Sequence, residues 1–147
     1  MLKKILVPAV LAVLLSACGG APASKTAINV EMTDFAYTPS SATITAGQPV
    51  TITLENKGLV EHDFVVSKID VTDVSEGSGG MDMGHDMNNM GHDMGGAEYD
   101  LHVSIPSGES NTITFTSKSA GVYQFFCTVP GHKEAGMIGE LTIVEEN

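Results

Sequence analysis

Short runs of alternating apolar and polar residues, separated by turn signals, constrain this chain more than any other feature. Eight such runs occur, and none of them has the three-to-four-residue period of a helix. They cover 27–34, 42–45, 50–55, 63–68, 100–105, 112–117, 123–127 and 138–144. Seven or eight short strands at this spacing predict an all-β fold, a Greek-key β-sandwich with antiparallel strands.

Two of these runs predict which side chains face the core. Val50, Ile52 and Leu54 alternate with threonines, and so do Ile113 and Phe115. Successive side chains of a strand point to opposite faces of the sheet. We therefore expect these five apolar residues inside the sandwich and the threonines outside.

The first eighteen residues are typical of an export signal. Lys3 and Lys4 precede an apolar stretch over 5–15, about half the ~20 residues of a membrane-spanning helix. The segment 15–18, Leu-Ser-Ala-Cys, resembles a bacterial lipobox and predicts a lipid on Cys18; an ordinary signal peptide with a chance cysteine is the alternative. The chain is thus expected to be exported and lipid-anchored at the membrane, facing the periplasm or the cell exterior.

The predicted organisation is a signal peptide at 1–17, a flexible tether at 18–25 and one domain at 26–147. A chain of 147 residues leaves no room for two ordinary domains. The segment 75–96 consists mainly of Gly, Met, His, Asp and Asn, which cannot form a packed core. It is therefore expected to be a flexible insertion between two strands.

The charge of the chain excludes some partners. The formal net charge is -11, and removing the leader with its two lysines leaves five lysines against eighteen acidic residues, or -13. Such a surface repels phosphate backbones, so no nucleic acid is expected as a partner. It suits a soluble protein that meets basic partner surfaces, or one that attracts cations. The protein is expected to be monomeric.

The residues that carry chemistry are concentrated in one loop. A strand ends at Cys127, four residues separate it from His132, and four more separate His132 from Met137. If Cys18 carries a lipid, Cys127 has no disulfide partner and its thiol needs another role. His62, just before a strand, is the natural fourth donor. Two imidazoles, a thiolate and a weak axial thioether form the ligand set of a blue-copper electron-transfer centre with one copper ion.

Other interpretations of these residues are weaker. Cys127, His132 and Met137 could each be a packing or loop residue, but their joint spacing argues against that. Zinc can bind a cysteine with two histidines, although the axial methionine disfavours it. A dinuclear copper centre would need a second cysteine in the loop, and a multicopper oxidase would need further histidines and another domain. His102 has no ligand spacing to the others and is expected to be a structural or surface histidine.

Several segments of the chain resemble a small bacterial cupredoxin, of the plastocyanin and azurin superfamily. They are Glu61-His62-Asp63-Phe64, the Cys-x4-His-x4-Met loop, the closing 139–144, and the upstream 34–39 and 46–50. The resemblance implies that the equivalents of His62, Cys127, His132 and Met137 bind the copper. It also implies that Asp63, beside the first histidine, hydrogen-bonds the cysteine-bearing loop.

The function expected from this site is a one-electron carrier between exported or membrane redox partners, and not an enzyme. Cys127 would connect the copper to the strand before it, and His132 would be the point where a redox protein docks. An apolar patch should surround that point, formed by Leu59, Val60, Val129, Pro130 and Ala135. Acidic side chains farther out would speed association with the partner.

The insertion favours an alternative function. It places seven soft or borderline donors within fourteen residues: Met81, Met83, His85, Met87, Met90, His92 and Met94. Thioethers select Cu(I), so the loop could hold additional Cu(I) ions in a copper-binding or copper-delivery protein of resistance or homeostasis. A solvated linker whose methionines are consumed by oxidants is the competing explanation. A subunit of a larger oxidase is a third, weaker interpretation.

Overall fold

A computed structural model of the protein describes residues 25–78 and 99–146. Within these two ranges the chain forms ten strands and no helix. The strands are β1 (Thr26–Thr33), β2 (Ala36–Thr38), β3 (Ser41–Thr45), β4 (Pro49–Asn56), β5 (His62–Val66), β6 (Val71–Ser78), β7 (Leu101–Ile105), β8 (Ser110–Ser117), β9 (Gly121–Phe126) and β10 (Ile138–Val144).

The strands lie in two five-stranded sheets, with the orders β2-β1-β4-β8-β6 and β3-β10-β9-β5-β7. The predicted all-β sandwich is confirmed. The prediction that all its strands are antiparallel is wrong, because β1 pairs with β4, and β3 with β10, in parallel. Parallel neighbours need a long connection rather than a hairpin, and alternation within a strand carries no information about such a partner.

Two of the ten strands in the described ranges do not appear among the eight predicted runs. β2 is three residues long, too short for an alternating pattern to stand out. β6 has a register irregularity between Thr72 and Ser75, and it includes the first residues of the segment predicted to be an insertion. The predicted start at residue 75 is therefore too early. Pairing with β8 imposes a strand on 75–78, a stretch whose composition gives no strand signal.

Several predicted features lie outside the described residues. These are the signal peptide at 1–17, the tether up to residue 24, the lipidation residue Cys18, and the insertion donors Met81, Met83, His85, Met87, Met90, His92 and Met94. In the part of the chain that is described, there is no helix with the length and apolarity needed to cross a membrane.

The alternation predicted for β4 and β8 is confirmed. All five apolar residues named for these strands are at most 2% exposed. The threonines between them lie on the other face, where the hydroxyls of Thr51 and Thr114 are 3.0 Å apart across the β4–β8 pair. The central pair of this sheet therefore supplies one wall of the core.

An aromatic cluster connects the two sheets below one end of the sandwich. The rings of Phe64 on β5 and Phe125 on β9 stack with their centroids 4.9 Å apart. Tyr37 packs edge-on against both, and its hydroxyl donates a 2.5 Å hydrogen bond to the carbonyl oxygen of Asp63. Burying a phenylalanine stabilises a fold by about 1.5–3 kcal/mol. This packing holds the ends of β5 and β9 in a rigid position.

Candidate metal centre

Strand order brings the candidate ligands to one edge of a sheet. In the second sheet β10, β9 and β5 are neighbours, and β9 is antiparallel to both of the others. The start of β5, the end of β9 and the start of β10 therefore meet at the same edge. His62 is the first residue of β5, Cys127 follows the last residue of β9, and Met137 precedes β10.

Three donor atoms converge at this edge. The Nδ1 atoms of His62 and His132 are 3.2 Å apart, and the Sγ atom of Cys127 lies 4.0 Å from the first and 3.6 Å from the second. The circle through three points at these separations has a radius of about 2.1 Å, within the ~2.0–2.3 Å range of bonds from imidazole nitrogen and thiolate sulfur to zinc. One first-row metal ion therefore fits between them.

All three side chains are shielded from water. His62 and Cys127 are fully buried, whereas His132 is 8% exposed. No other group of three or more His, Cys, Asp or Glu donors with metal-site spacing occurs among the described residues. The donor set is thus one closed site that reaches the surface only at His132.

The loop between Cys127 and Met137 is closed by its own backbone. The Met137 N–H donates to the His132 carbonyl at 2.9 Å, and the Met137 carbonyl accepts from the Cys127 N–H at 3.2 Å. Gly136 has a φ of 108°, which side-chain-bearing residues rarely adopt. The Met137 side chain is fully buried in the same apolar cluster as Cys127. The predicted axial residue is therefore held beside the other three.

A buried asparagine organises the turn that leads into His62. The Asn56 side-chain amide donates to the carbonyl oxygens of Val60 and Ile105, each at 2.8 Å, and its Oδ1 accepts from the Gly58 N–H at 2.8 Å. Both amide protons and the amide oxygen are therefore paired, as a fully buried amide requires. These bonds tie the 57–61 turn to the end of β7.

Asp34 lies against the outward nitrogen of His62. Its Oδ1 is 3.4 Å from His62 Nε2, which is within ion-pair distance although the geometry does not meet that of a hydrogen bond. The same oxygen accepts a hydrogen bond from the Leu59 N–H at 3.1 Å. A carboxylate in this place orients a metal-binding imidazole so that its other nitrogen faces the metal. The contact needs Gly58, since a Cβ there would lie 2.5 Å from His62 Nε2 and 2.7 Å from Asp34 Oδ1.

The electrostatics of the pocket suit a cation. Burial lowers the pKa of His62, with Asp34 acting in the opposite direction, so this imidazole stays neutral and keeps a lone pair. Burial also raises the pKa of Cys127, partly offset by backbone donors that include the Asp63 N–H, 3.4 Å from Sγ. A metal ion deprotonates such a thiol on binding. Metal binding at this site should therefore release a proton.

Asp63 links the cysteine-bearing loop to β7. The family resemblance predicts a hydrogen bond between Asp63 and that loop. Its carboxylate accepts hydrogen bonds from the Thr128 hydroxyl and, at 2.5 Å, from the Ser104 hydroxyl. His102 Nε2 is 3.7 Å from Asp63 Oδ1, an ion-pair distance too long for a hydrogen bond. Burial alone would raise the pKa of Asp63, but His102, Ser104 and Thr128 together lower it to about 2.

The residues expected to form an apolar patch near His132 are mostly exposed. Leu59 is 84% exposed and Val60 is 47% exposed. Pro130 and Ala135 are also exposed, while Val129 is half-buried against the core. Sequence reasoning missed a further member, Phe35, which is 49% exposed and meets the His132 ring edge-on at 5.1 Å.

Three residues near the site were not identified from sequence. Asp34 and Phe35 lie between β1 and β2, and Asn56 is the last residue of β4. Phe35 has a φ of 70°, unusual for a bulky residue and costly enough to mark a constrained position. No local sequence pattern could have identified these three residues, because only the folded structure brings them close to His62 and His132.

Known proteins resemble this chain over most of its length. Residues 24–144 match the model of copper-binding proteins of the plastocyanin/azurin family. The copper-resistant cuproprotein CopI of Rubrivivax gelatinosus is 31% identical, over 85% of this chain and 70% of its own. Auracyanin-A of Chloroflexus aurantiacus is 28% identical, over 83% of this chain and 84% of its own. The crystal structure of dithionite-reduced auracyanin from Roseiflexus castenholzii superposes with a TM-score of 0.56 at 25% identity, covering 84% of this chain and 99% of that one.

Proposed function

Because this chain belongs to the plastocyanin/azurin family of copper-binding proteins, we propose that it holds one type 1 copper and carries single electrons. The proposed ligands are His62, Cys127 and His132, with Met137 as a weak axial ligand. The observation that carries this proposal is the convergence of two Nδ1 atoms and one Sγ atom on a point about 2.1 Å from each. A thioether beside them favours copper over zinc.

A copper ion bound there supplies a one-electron Cu(II)/Cu(I) couple. The protein accepts one electron from a reduced redox protein and passes it to an oxidised one, and no covalent bond of the protein forms or breaks. The packed aromatic cluster and the closed 127–137 loop keep the donor atoms at fixed separations in both states. Little rearrangement then accompanies electron transfer, which keeps the barrier low.

The proposed docking point for partners is the edge of His132. It is the one ligand candidate with surface exposure, and its ring packs against the exposed Phe35. The proposed docking rim consists of Phe35 with the exposed apolar residues Leu59 and Val60. A rim of this size suits a brief encounter with another redox protein rather than a permanent complex. The net negative charge of the chain favours a partner with a basic surface. On this proposal the protein is monomeric and catalyses no reaction on a substrate.

The proposed location is outside the cytoplasm, with a lipid on Cys18 that holds the domain at a membrane. The leader with Lys3 and Lys4 and the Leu-Ser-Ala-Cys segment support this placement. Exported compartments are oxidising, and metal binding would protect the free thiol of Cys127 there.

A second candidate function is copper binding or delivery in copper resistance. Two observations favour it: the relative in Rubrivivax gelatinosus is a copper-resistant cuproprotein, and the segment 81–94 holds five methionines and two histidines. Electron transfer needs only one copper ion. Copper handling in this form needs additional Cu(I), which thioethers bind selectively.

Copper stoichiometry and the visible spectrum separate the two functions. We expect the intact protein to bind one copper that is intensely blue when oxidised, because a Cu(II)–thiolate bond absorbs visible light and zinc, with its filled d shell, does not. If copper handling is a function, the intact protein also binds additional Cu(I), and deletion of 81–94 removes only these ions. Equal stoichiometry in both proteins rejects the second function. A colourless protein after oxidation with copper supplied rejects the first.

Replacing Met137 with leucine should raise the reduction potential and preserve the blue colour. The thioether donates electron density that stabilises Cu(II), and leucine is of similar size but has no donor atom. Spectroelectrochemical titration measures the shift. The matched control is Met32→Leu, the same substitution at another fully buried methionine, which should leave the potential unchanged. An unchanged potential in Met137→Leu would remove this residue from the axial position.

A further inference from the structure

Asp63 is the residue through which the surface could influence the copper site. The residue is buried, at 5% exposure, yet its carboxylate stays charged because Ser104 and Thr128 donate to it. Its N–H donates to Cys127 Sγ at 3.4 Å. Hydrogen bonds and charge around the cysteine sulfur tune the potential of a blue-copper site. A fixed negative charge therefore lies one residue from the proposed ligand His62.

His102 is the cation that can balance this charge. It lies on β7, opposite Val65 of β5, with Nε2 3.7 Å from Asp63 Oδ1 and 3.4 Å from Ser104 Oγ. The His102 side chain is 35% exposed, so it exchanges protons with solvent. Ser104 contacts both side chains, since its hydroxyl donates to the same Asp63 oxygen. The imidazole, the hydroxyl and the carboxylate thus form one connected group that runs from the surface to the cysteine loop.

We infer that His102 makes the reduction potential of the copper site depend on pH. It does so by binding a proton next to Asp63. This inference rests on the proposed function, because it concerns the potential of a redox-active ion at the same site. His102 itself contacts none of the three donor atoms and acts through Asp63.

The other charged groups near His102 are mostly acidic. Glu61 precedes β5 and Glu76 lies on β6, and both favour the protonated imidazole, as Asp63 does. The Tyr99 ring packs edge-on against the His102 ring, with the centroids 5.8 Å apart, and the Lys133 ammonium lies over the Phe126 ring. Interaction with Asp63 outweighs burial and raises the pKa of His102 above its ordinary 6.5. His102 therefore holds its proton to higher pH than an isolated histidine does.

The sign of the effect follows from charge. Protonated His102 offsets the negative charge of Asp63 and so favours Cu(I), which carries one positive charge fewer than Cu(II). The potential should therefore be higher below the His102 pKa and should fall as pH rises through it. Linkage requires the converse, that His102 binds its proton more tightly in the reduced protein. A threefold difference in that affinity corresponds to about 30 mV, at 59 mV per tenfold for one electron.

The test compares the native holoprotein with His102→Gln, which keeps a polar side chain that does not titrate. The potential is measured between pH 5 and 9, and the His102 pKa is measured by NMR in the reduced, diamagnetic protein. We expect the native potential to fall with an inflection close to that pKa, and the variant to lose this inflection while staying blue. Lys118→Gln is the matched control, because it removes a cation that pairs with Asp70 and should leave the inflection in place.

A second variant keeps the test decisive if His102→Gln folds poorly. Asp63→Asn preserves the shape of the side chain but removes its charge, so it should lower the His102 pKa and move the inflection to lower pH. A blue native protein with a potential independent of pH overturns the inference while leaving the proposed function intact. An inflection that survives in His102→Gln assigns the effect to another group. A protein that never becomes blue fails the proposed function itself.

Discussion

The Cys127→Ser protein should lose the blue colour completely. Serine is nearly the same size as cysteine, so the buried pocket behind β9 should still form. Its hydroxyl stays protonated at neutral pH and cannot replace a thiolate as a soft ligand. The visible absorption of the copper-loaded protein measures the effect, and unfolding in urea shows whether the apoprotein keeps its stability.

The same substitution at the other cysteine provides the control. Cys18 lies in the predicted lipidation segment and is not one of the proposed ligands. The Cys18→Ser protein should therefore remain blue, even if it is no longer anchored. A Cys127→Ser protein that stayed blue would show that the sulfur of Cys127 is not a ligand, and the proposed site would then be wrong.

The Gly58→Ala protein should bind copper about 10–100-fold more weakly, the loss typical when a group that orients a metal-binding histidine is disturbed. The added Cβ would lie 2.5 Å from His62 Nε2 and 2.7 Å from Asp34 Oδ1. Asp34 can swing towards solvent, but the fully buried His62 ring can only rotate within its pocket. Rotation moves Nδ1 away from the point that the three donors share. Competition with a copper chelator measures the affinity.

Gly47→Ala is the matched control for this effect. Gly47 has a φ of 76° in the turn between β3 and β4, and the nearest atom to an added Cβ, an oxygen of Glu146, is 4.0 Å away. The substitution should lower the free energy of unfolding by about 1 kcal/mol through backbone strain and leave copper affinity unchanged. If Gly58→Ala bound copper as tightly as the native protein, Gly58 would not be needed to position His62.

Predictions from the sequence succeeded where the cause is local. The inward residues of β4 and β8 follow from strict alternation, which is a property of a single strand. Cys127, His132 and Met137 belong to one loop, so their proximity needs little more than the turn that the intervening residues make. His62 lies far from this loop in the sequence, so it could be proposed only as a fourth donor from another part of the chain. The fold brings it within 4.0 Å of Cys127 Sγ because β5 and β9 are neighbouring strands.

Predictions failed, or were not possible, where the cause is distant in the chain. The strand at β6 depends on pairing with β8, and the parallel β1–β4 and β3–β10 pairs depend on how the sheets assemble. His102 was correctly kept out of the ligand group among the described residues. Its position beside Asp63 comes from the β5–β7 register, in which Asp63 lies opposite Ser104. Alternation along a strand contains no information about such cross-strand partners.

The sequence by itself determined the class of fold and the chemical types of the donors. Both follow directly from the order and identity of the residues, because strand periodicity and side-chain chemistry are local properties. Only the tertiary structure decided what surrounds those donors: Asp34 behind His62, Phe35 against His132, and His102 paired with the carboxylate next to Cys127. These contacts join residues that are far apart in the chain. They arise from packing of the two sheets, where burial and strand register choose neighbours that no local pattern specifies.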